Sequence, residues 1–193
     1  DDHKTYVREY LGFDLYAAED GVEFGSYSMN KELSIAVTNG ESGAIIDTDK
    51  AKALTARTAM RFNIGSLNTT LGGSFRYAEF GDDVPLNRYS GLFWGMNLGK
   101  FTYLGEGDLM VNDAKSVVFT HKLLYHLKQG LDLHITYDYI DPDIDYQSGY
   151  AYRTRLGSSI YFTGYLELIP AIIWEYDRGN ETATGEFQLH TWF

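Results

Sequence analysis

The sequence contains no cysteine among its 193 residues. Without thiols the protein can form no disulfide framework, no thiolate metal site and no cysteine nucleophile. Prolines number only 3, whereas 20 glycines and an aromatic content of 16% are typical of a tyrosine-rich β-protein. The composition therefore favours strands over helices.

Long apolar runs are also missing, since no stretch approaches the roughly 20 apolar residues of a membrane-spanning helix. A β-strand crosses a bilayer with about 9–11 residues, of which only alternate ones face lipid. A search for apolar runs overlooks such strands. The absence of long apolar runs therefore does not exclude a transmembrane β-barrel.

Basic residues are few, because 16 Lys and Arg stand against 27 Asp and Glu, giving a formal net charge of −11. Nucleic-acid binding requires clustered Lys and Arg that neutralise phosphates. No nucleic acid is therefore expected as a partner. Acidic loops in contact with solvent are the ordinary cause of such a charge.

Strict alternation marks the end of the chain. Phe187, Leu189, Thr191 and Phe193 share one face of a strand, and Gln188, His190 and Trp192 share the other. Alternation of period two also marks segments 51–63, 69–80, 100–109, 131–140 and 149–162. One face of each strand would meet lipid and the other a wet interior, as in an outer-membrane barrel that closes on an aromatic residue.

About twelve strands are predicted, near residues 6–17, 22–29, 32–39, 51–63, 68–79, 88–98, 100–110, 115–127, 130–140, 149–162, 165–178 and 183–193. Two segments are less regular: 116–127 carries His121 on its apolar face, and 165–176 is apolar on both faces around Pro170. A buried or bulged position is expected there.

The predicted connections alternate in length. Tight turns are expected at 98–100, 128–130 and 163–164, and longer acidic loops at 40–50, 81–87 and 141–148. Outer-membrane barrels have short periplasmic turns and longer outer loops. An aromatic girdle is expected toward the outer ends of the strands, formed by Tyr137, Tyr139, Tyr150, Tyr152, Trp174 and Tyr176.

Five short motifs, REYLGFD (8–14), DGVEFG (20–25), AVTNG (36–40), DPD (141–143) and QLHTWF (188–193), together resemble the C-terminal half of large porin-like outer-membrane proteins of Gram-negative bacteria. The resemblance spans nearly the whole chain and implies a transmembrane antiparallel up-and-down β-barrel in the cell outer membrane. The implied partners are outer-membrane lipid, lipopolysaccharide and the barrel-assembly machinery, which would read the C-terminal strand. Members usually carry a comparable length of strand before REYLGFD. Residues 1–193 are thus either one closed barrel domain or the C-terminal part of a longer barrel.

The alternation assigns charged residues to the interior. The expected pore-lining residues are Arg57, Arg61, Arg76, Glu106, Asp108, Asp132, His134, Asp138, Arg153, Arg155, Glu167 and Glu175. The expected lipid-facing residues are Leu133, Ile135, Leu156, Ile160, Leu189 and Phe193. Thr136 also faces the interior and is expected to accept a charge.

Three roles are open to the charged interior. Opposed basic and acidic walls would create a transverse field that selects solutes by charge and size. Alternatively, Arg57, Arg61 and Arg76 pair with Glu106, Asp108 or Asp132, and the charges plug the lumen. In a third interpretation, the arginines bind an oxyanion through fork-like contacts.

The expected function is passive diffusion of small hydrophilic solutes, anions among them, through an outer-membrane channel. A closed structural or partner-scaffolding barrel is the alternative, and a soluble ligand-binding barrel is the third.

Catalysis is not expected, because Asp132 and His134 are about 7 Å apart along one strand and no serine nucleophile motif is present. No metal or cofactor is expected either. The histidines lack ligand spacing, and in the acidic loop Tyr146 occupies the place of the glycine in a calcium-binding loop.

Overall fold

The structure, a computed structural model, describes Thr5 and residues 19–40, 52–80, 84–146 and 149–192. Within these residues the chain forms eleven β-strands. They are β1 Gly21–Tyr27, β2 Lys31–Thr38, β3 Ala53–Ile64, β4 Leu67–Phe80, β5 Val84–Leu98, β6 Phe101–Val111, β7 Lys115–Lys128, β8 Leu131–Asp141, β9 Ala151–Thr163, β10 Leu166–Asp177 and β11 Asn180–Thr191. The described residues contain no helix long and apolar enough to cross a membrane.

The strands form one antiparallel up-and-down sheet, in which the spatial order is the sequence order from β1 to β11. Short turns join β1 to β2, β3 to β4, β5 to β6, β7 to β8 and β9 to β10 at one end, which we call the short-turn end. Gly99 and Gly130 take φ values of 58° and 78° in two of these turns, a left-handed conformation that costs glycine little. The predicted tight turns at 98–100 and 128–130 are confirmed.

The two faces of the sheet differ in chemistry and in exposure. We call the face that carries Asp132, Thr136 and Asp138 of β8 the inner face, and the face that carries Leu133 and Ile135 the outer face. Thr136 and Asp138 are 8% and 3% exposed, whereas Leu133 and Ile135 are each 41% exposed. The polar face is thus the more enclosed one, which reverses the arrangement of a soluble sheet packed on an apolar core.

Side chains on the inner face meet across an intervening strand. The Arg57 guanidinium of β3 lies 4.3 Å from the ring centre of Phe93 on β5. Arg155 of β9 lies 3.5 Å from Glu186 of β11. Such convergence is the property of a concave surface, so the inner face is the inside of a curved wall.

An apolar cluster covers part of the inner face toward the end opposite the short turns. Met110, Val118 and Ala151 are buried there, and Tyr89 and Ile140 pack against them. These positions lie on five successive strands, β5 to β9, so the cluster crosses the wall from one strand to the next.

Two sequence predictions need comment. The strand predicted near 6–17 lies outside the described residues. The prediction of a loop over 81–87 is wrong in its second half, because β5 begins at Val84 and Phe80 pairs with Val84. The pairing register shifts between Ala78 and Phe80, so the sheet reaches this position through an irregularity.

Candidate functional site: the inner face of the sheet

Two arginines on β3 share one carboxylate. Glu32 of β2 pairs in the sheet with Ala59, which places it between Arg57 and Arg61 on the inner face. The Arg57 Nε and Arg61 Nη2 atoms lie 3.3 Å from the two Glu32 oxygens. Each arginine side chain remains 49% exposed, so this trio carries an accessible net positive charge.

Phe93 contributes to the position of Arg57. Its ring lies over Gly72 of β4, where a Cβ atom would come within 2.1 Å of the ring. The glycine therefore lets the aromatic face reach the guanidinium, an arrangement that favours a cation–π contact.

Arg76 is bound differently. Its guanidinium donates two hydrogen bonds to the Glu19 carboxylate. The same carboxylate accepts a third hydrogen bond, of 2.5 Å, from Thr38 Oγ1. The Arg76 side chain is only 15% exposed. Burial raises the pKa of Glu19, but the hydrogen bonds from Arg76 and Thr38 and the arginine charge outweigh it and hold the pKa below its usual value.

Asp138 lies at the centre of a network on β7, β8 and β9. Thr120 donates a hydrogen bond of 2.8 Å to Oδ1, and the Nη2 and Nε atoms of Arg153 donate bonds of 3.2 and 3.3 Å to Oδ2. The side chains of Asp138 and Arg153 are 4% and 14% exposed. This pair is therefore enclosed, unlike the trio around Glu32.

Arg155 lines a small cationic cavity of about 90 Å³ together with Lys122, His134 and Thr136. Thr5 also lines it. The His134 ring lies over Gly157, where a Cβ would come within 2.7 Å of it.

Buried nitrogens in this cavity lack hydrogen-bond partners among the described residues. They are His134 Nδ1 and the Nε and Nη2 atoms of Arg155, although Nη2 is at ion-pair distance from Glu186. The Arg155 Nε–H group beside the Lys122 ammonium would suit an anionic group.

Two histidine–carboxylate pairs lie near the short-turn end. Asp132 Oδ1 is 2.6 Å from His126 Nδ1, and Glu167 Oε2 is 3.3 Å from His190 Nδ1. Asp132 thus interacts with the histidine opposite it on β7, not with His134.

The remaining predicted carboxylates also lie on the inner face. Glu106 and Asp108 are on β6, and Glu175 faces Arg153 in the register of β9 and β10. Asp108 is 7% exposed and packs against Gly91, where a Cβ would come within 2.1 Å of its Oδ1.

The structure therefore places all twelve residues predicted to line a pore on one face, but the ion pairs differ from those expected. Arg57 and Arg61 pair with Glu32, and Arg76 pairs with Glu19, in place of Glu106, Asp108 or Asp132. The sequence reasoning missed Glu19, Glu32, Lys122, His126 and Glu186. The alternation of Glu32 with Leu33 and Ile35 in β2 is the signal that would have found Glu32.

The outer face carries those residues predicted to face lipid that the structure describes. Leu156 and Leu189 are 50% and 63% exposed on it, beside Leu133 and Ile135. Ile160 shares the face of Leu156 and is less exposed, and Phe193 lies outside the described residues.

The six predicted girdle aromatics also lie on the outer face. Five of these tyrosines form four stacked ring pairs with centroids 5.2–6.3 Å apart. The pairs are Tyr137 with Tyr152, Tyr139 with Tyr150, Tyr150 with Tyr176 and Tyr152 with Tyr176.

His121 is a polar residue on the outer face of β7. Its Nδ1 is 2.8 Å from the Tyr103 hydroxyl, and its ring centre is 5.7 Å from that of Trp94. The hydrogen bond and the aromatic neighbours explain how a histidine fits an apolar face.

The acidic loop after β8 uses its carboxylates for its own turns. Asp141 accepts the backbone N–H of Asp143 at 3.2 Å, and Asp143 accepts that of Asp145 at 3.1 Å. Among the residues that the structure describes, no group of three His, Asp or Glu side chains could hold a metal ion.

No protein-family model and no curated protein sequence matches the chain. Solved structures of outer-membrane proteins do match. OccAB4 of Acinetobacter baumannii aligns with a TM-score of 0.67 and 10% identity over 86% of this chain and 50% of its own. OmpT of Vibrio cholerae, expressed in the outer membrane, aligns with a TM-score of 0.65 and 10% identity over 90% of this chain and 65% of its own. An anion-selective porin from Comamonas acidovorans aligns with a TM-score of 0.58 and 14% identity over 93% of this chain and 62% of its own.

These likenesses show the fold. The eleven strands are the wall of an up-and-down antiparallel β-barrel of the outer-membrane, porin-like kind. The chain spans about half to two thirds of the length of the structures it matches.

Proposed function

We propose that the protein forms an outer-membrane channel, in the cell outer membrane of a Gram-negative bacterium, for the passive diffusion of small hydrophilic solutes with a preference for anions. The observation that carries the proposal is the trio of Arg57, Arg61 and Glu32, which exposes a net positive charge on the lumen face. Low-dielectric walls strengthen the field of such a charge on a passing ion. Outer-membrane porins have the same fold, which supports the proposal.

We assign roles to the predicted pore-lining arginines from their exposure and their ion pairs. Arg57 and Arg61 would set selectivity, because they are the most exposed of the predicted pore-lining arginines. Arg76, Arg153 and Asp138 are enclosed in ion pairs and would hold the wall in shape. No catalytic step is proposed for the lumen. Outer-membrane lipid and lipopolysaccharide around the outer face, and the barrel-assembly machinery acting on the C-terminal strand, are the partners that this location implies.

Planar-bilayer recording tests the channel. Reconstituted protein should conduct, and the double change Arg57→Glu and Arg61→Glu should move the reversal potential in a salt gradient toward cations. The change Arg178→Glu is the matched control, because Arg178 carries the same charge but lies in the β10–β11 turn with its side chain 70% exposed. It should leave the reversal potential close to that of the wild type.

A closed structural barrel is the second candidate, and the apolar cluster of Met110, Val118 and Ala151 favours it. That cluster obstructs part of the inner face, and several charges nearby are already paired. A wild-type protein that inserts into bilayers without conducting would support this candidate and remove the channel. Equal shifts of reversal potential in the double variant and the Arg178 variant would remove the assigned role of Arg57 and Arg61.

A further inference from the structure

Asparagines from three successive short hairpins meet on the inner face at the short-turn end. Asn30 lies in the β1–β2 turn, Asn63 and Asn68 flank the β3–β4 turn, and Asn97 lies near the end of β5. They line one pocket with a volume of about 580 Å³, which we call the asparagine pocket. This volume falls in the range of roughly 300–1,000 Å³ that small-molecule sites occupy.

The register of the sheet explains why these residues converge. Asn63 pairs with Asn68, Asn68 pairs with Asn97, and Asn97 pairs with Thr102, so four polar positions form one row across β3 to β6. Neighbouring positions in such a row are about 4.8 Å apart. The Arg61 N–H donates a 2.8 Å hydrogen bond to the Asn30 carbonyl, which fixes the first hairpin beside the row.

The amides are available to a ligand. The side chains of Asn63 and Asn68 are exposed and form no hydrogen bond with any residue that the structure describes. Asn97 donates through Nδ2 to Thr102 Oγ1 at 2.8 Å and to the Phe101 carbonyl at 3.2 Å, and these bonds hold its amide in place. Amides and hydroxyls both donate and accept hydrogen bonds, which is what a ligand rich in hydroxyl groups requires.

The lining of the pocket is mostly uncharged, which favours a ligand without charge. Among the residues that the structure describes, Arg61 is the one charged residue in the lining and no carboxylate lines the pocket. Glu32, which Arg61 shares with Arg57, lies 3.3 Å from the Arg61 guanidinium. Leu104, which is 44% exposed and packs beside Gly95, adds an apolar surface suited to the C–H face of a sugar ring.

We propose that the asparagine pocket is a binding subsite for neutral saccharides at the short-turn mouth of the lumen. The inference rests on the proposed channel and names a class of solute that would pass through it. Hydroxyl groups of the sugar would bind the amides of Asn63 and Asn68, and its apolar face would contact Leu104.

Isothermal titration calorimetry of the folded protein in detergent tests the subsite, with maltose as the probe and with gluconate and inorganic phosphate as charged comparisons. Maltose should bind saturably, and more tightly than either anion. The double change Asn63→Ala and Asn68→Ala removes amides that can each form at least one hydrogen bond. It should weaken maltose binding on the order of tenfold.

The change Asn87→Ala is the matched control, because Asn87 lies on the same strand and face as Asn97 but ten residues away, about 33 Å along β5. It should leave maltose binding unchanged. Asn68→Asp keeps the shape of the side chain while removing its donors, and should also weaken binding if the double variant does not fold.

The proposal would be overturned if the wild type did not bind maltose, or if the wild type, the double variant and Asn68→Asp bound maltose equally. Binding of the anions alone would also overturn it and would assign the pocket to Arg61. Calorimetry does not depend on conductance. Maltose binding by a non-conducting barrel would therefore retain the pocket and remove the channel. Conductance without maltose binding would retain the channel and remove the saccharide subsite.

Discussion

Asp138 receives hydrogen bonds from the neighbouring strands on both sides of β8, while only 3% of its surface is exposed. A buried ion pair contributes little compared with an apolar pair of the same shape, but removal of one partner is strongly destabilising. Loss of Asp138 removes the acceptor of two hydrogen bonds from the Arg153 guanidinium, whose side chain is only 14% exposed.

Asp138→Ala should lower the free energy of unfolding by about 3–5 kcal/mol. The matched control is Asp177→Ala, because Asp177 pairs with Arg178 at 3.6 Å with both side chains at least 60% exposed. That exposed pair should be worth at most about 1 kcal/mol. Equilibrium unfolding in denaturant from lipid vesicles measures both losses, and similar values for the two variants would contradict the enclosure of Asp138.

At the scale of single strands, alternation decides which substitution the barrel accepts. Ile135 lies in the middle of β8 on the outer face, and Thr184 lies on the inner face of β11, two residues before Glu186. Ile135→Arg should destabilise the folded barrel by about 2–4 kcal/mol, because it moves a charge into the hydrocarbon region.

Thr184→Arg serves as the control, since it places the same side chain beside a carboxylate on the lumen side. It should cost far less in the same unfolding measurement from lipid vesicles. Equal losses at both positions would show that the two faces do not separate lipid from lumen.

The sequence predicts these strands well and their ion pairs poorly. The alternation places β8 within one residue at each end and assigns both of its faces, because period two depends only on the geometry of the strand. Partner choice depends on register and curvature, which no local pattern contains. Thr136 shows what the pattern of one strand does not predict. It faces inward as predicted, but it is only 8% exposed and pairs with Lys122 on one side and Arg155 on the other. A cation at this position would therefore not be accepted.

At the scale of the whole molecule, the exposed apolar surface matches a bilayer. Leu92, Leu156 and Ile172 of the outer face are 64%, 50% and 49% exposed. A soluble protein that exposed such a continuous apolar face would aggregate, whereas lipid covers it without cost. Each strand from β2 to β10 pairs with both of its neighbours in sequence, so between β1 and β11 the backbone hydrogen bonds run from strand to strand, as the hydrocarbon region requires.

This arrangement predicts heat-modifiable migration in a denaturing gel. A barrel wall unfolds cooperatively, because opening one strand pair exposes backbone groups on both neighbours, and dodecyl sulfate at room temperature should leave the compact form intact. Unheated protein from mild detergent should therefore migrate as a different band from boiled protein. Asp138→Ala should convert to the boiled band at a lower temperature than Asp177→Ala. One band at the same position before and after boiling would show that the strands do not close into a stable barrel in detergent.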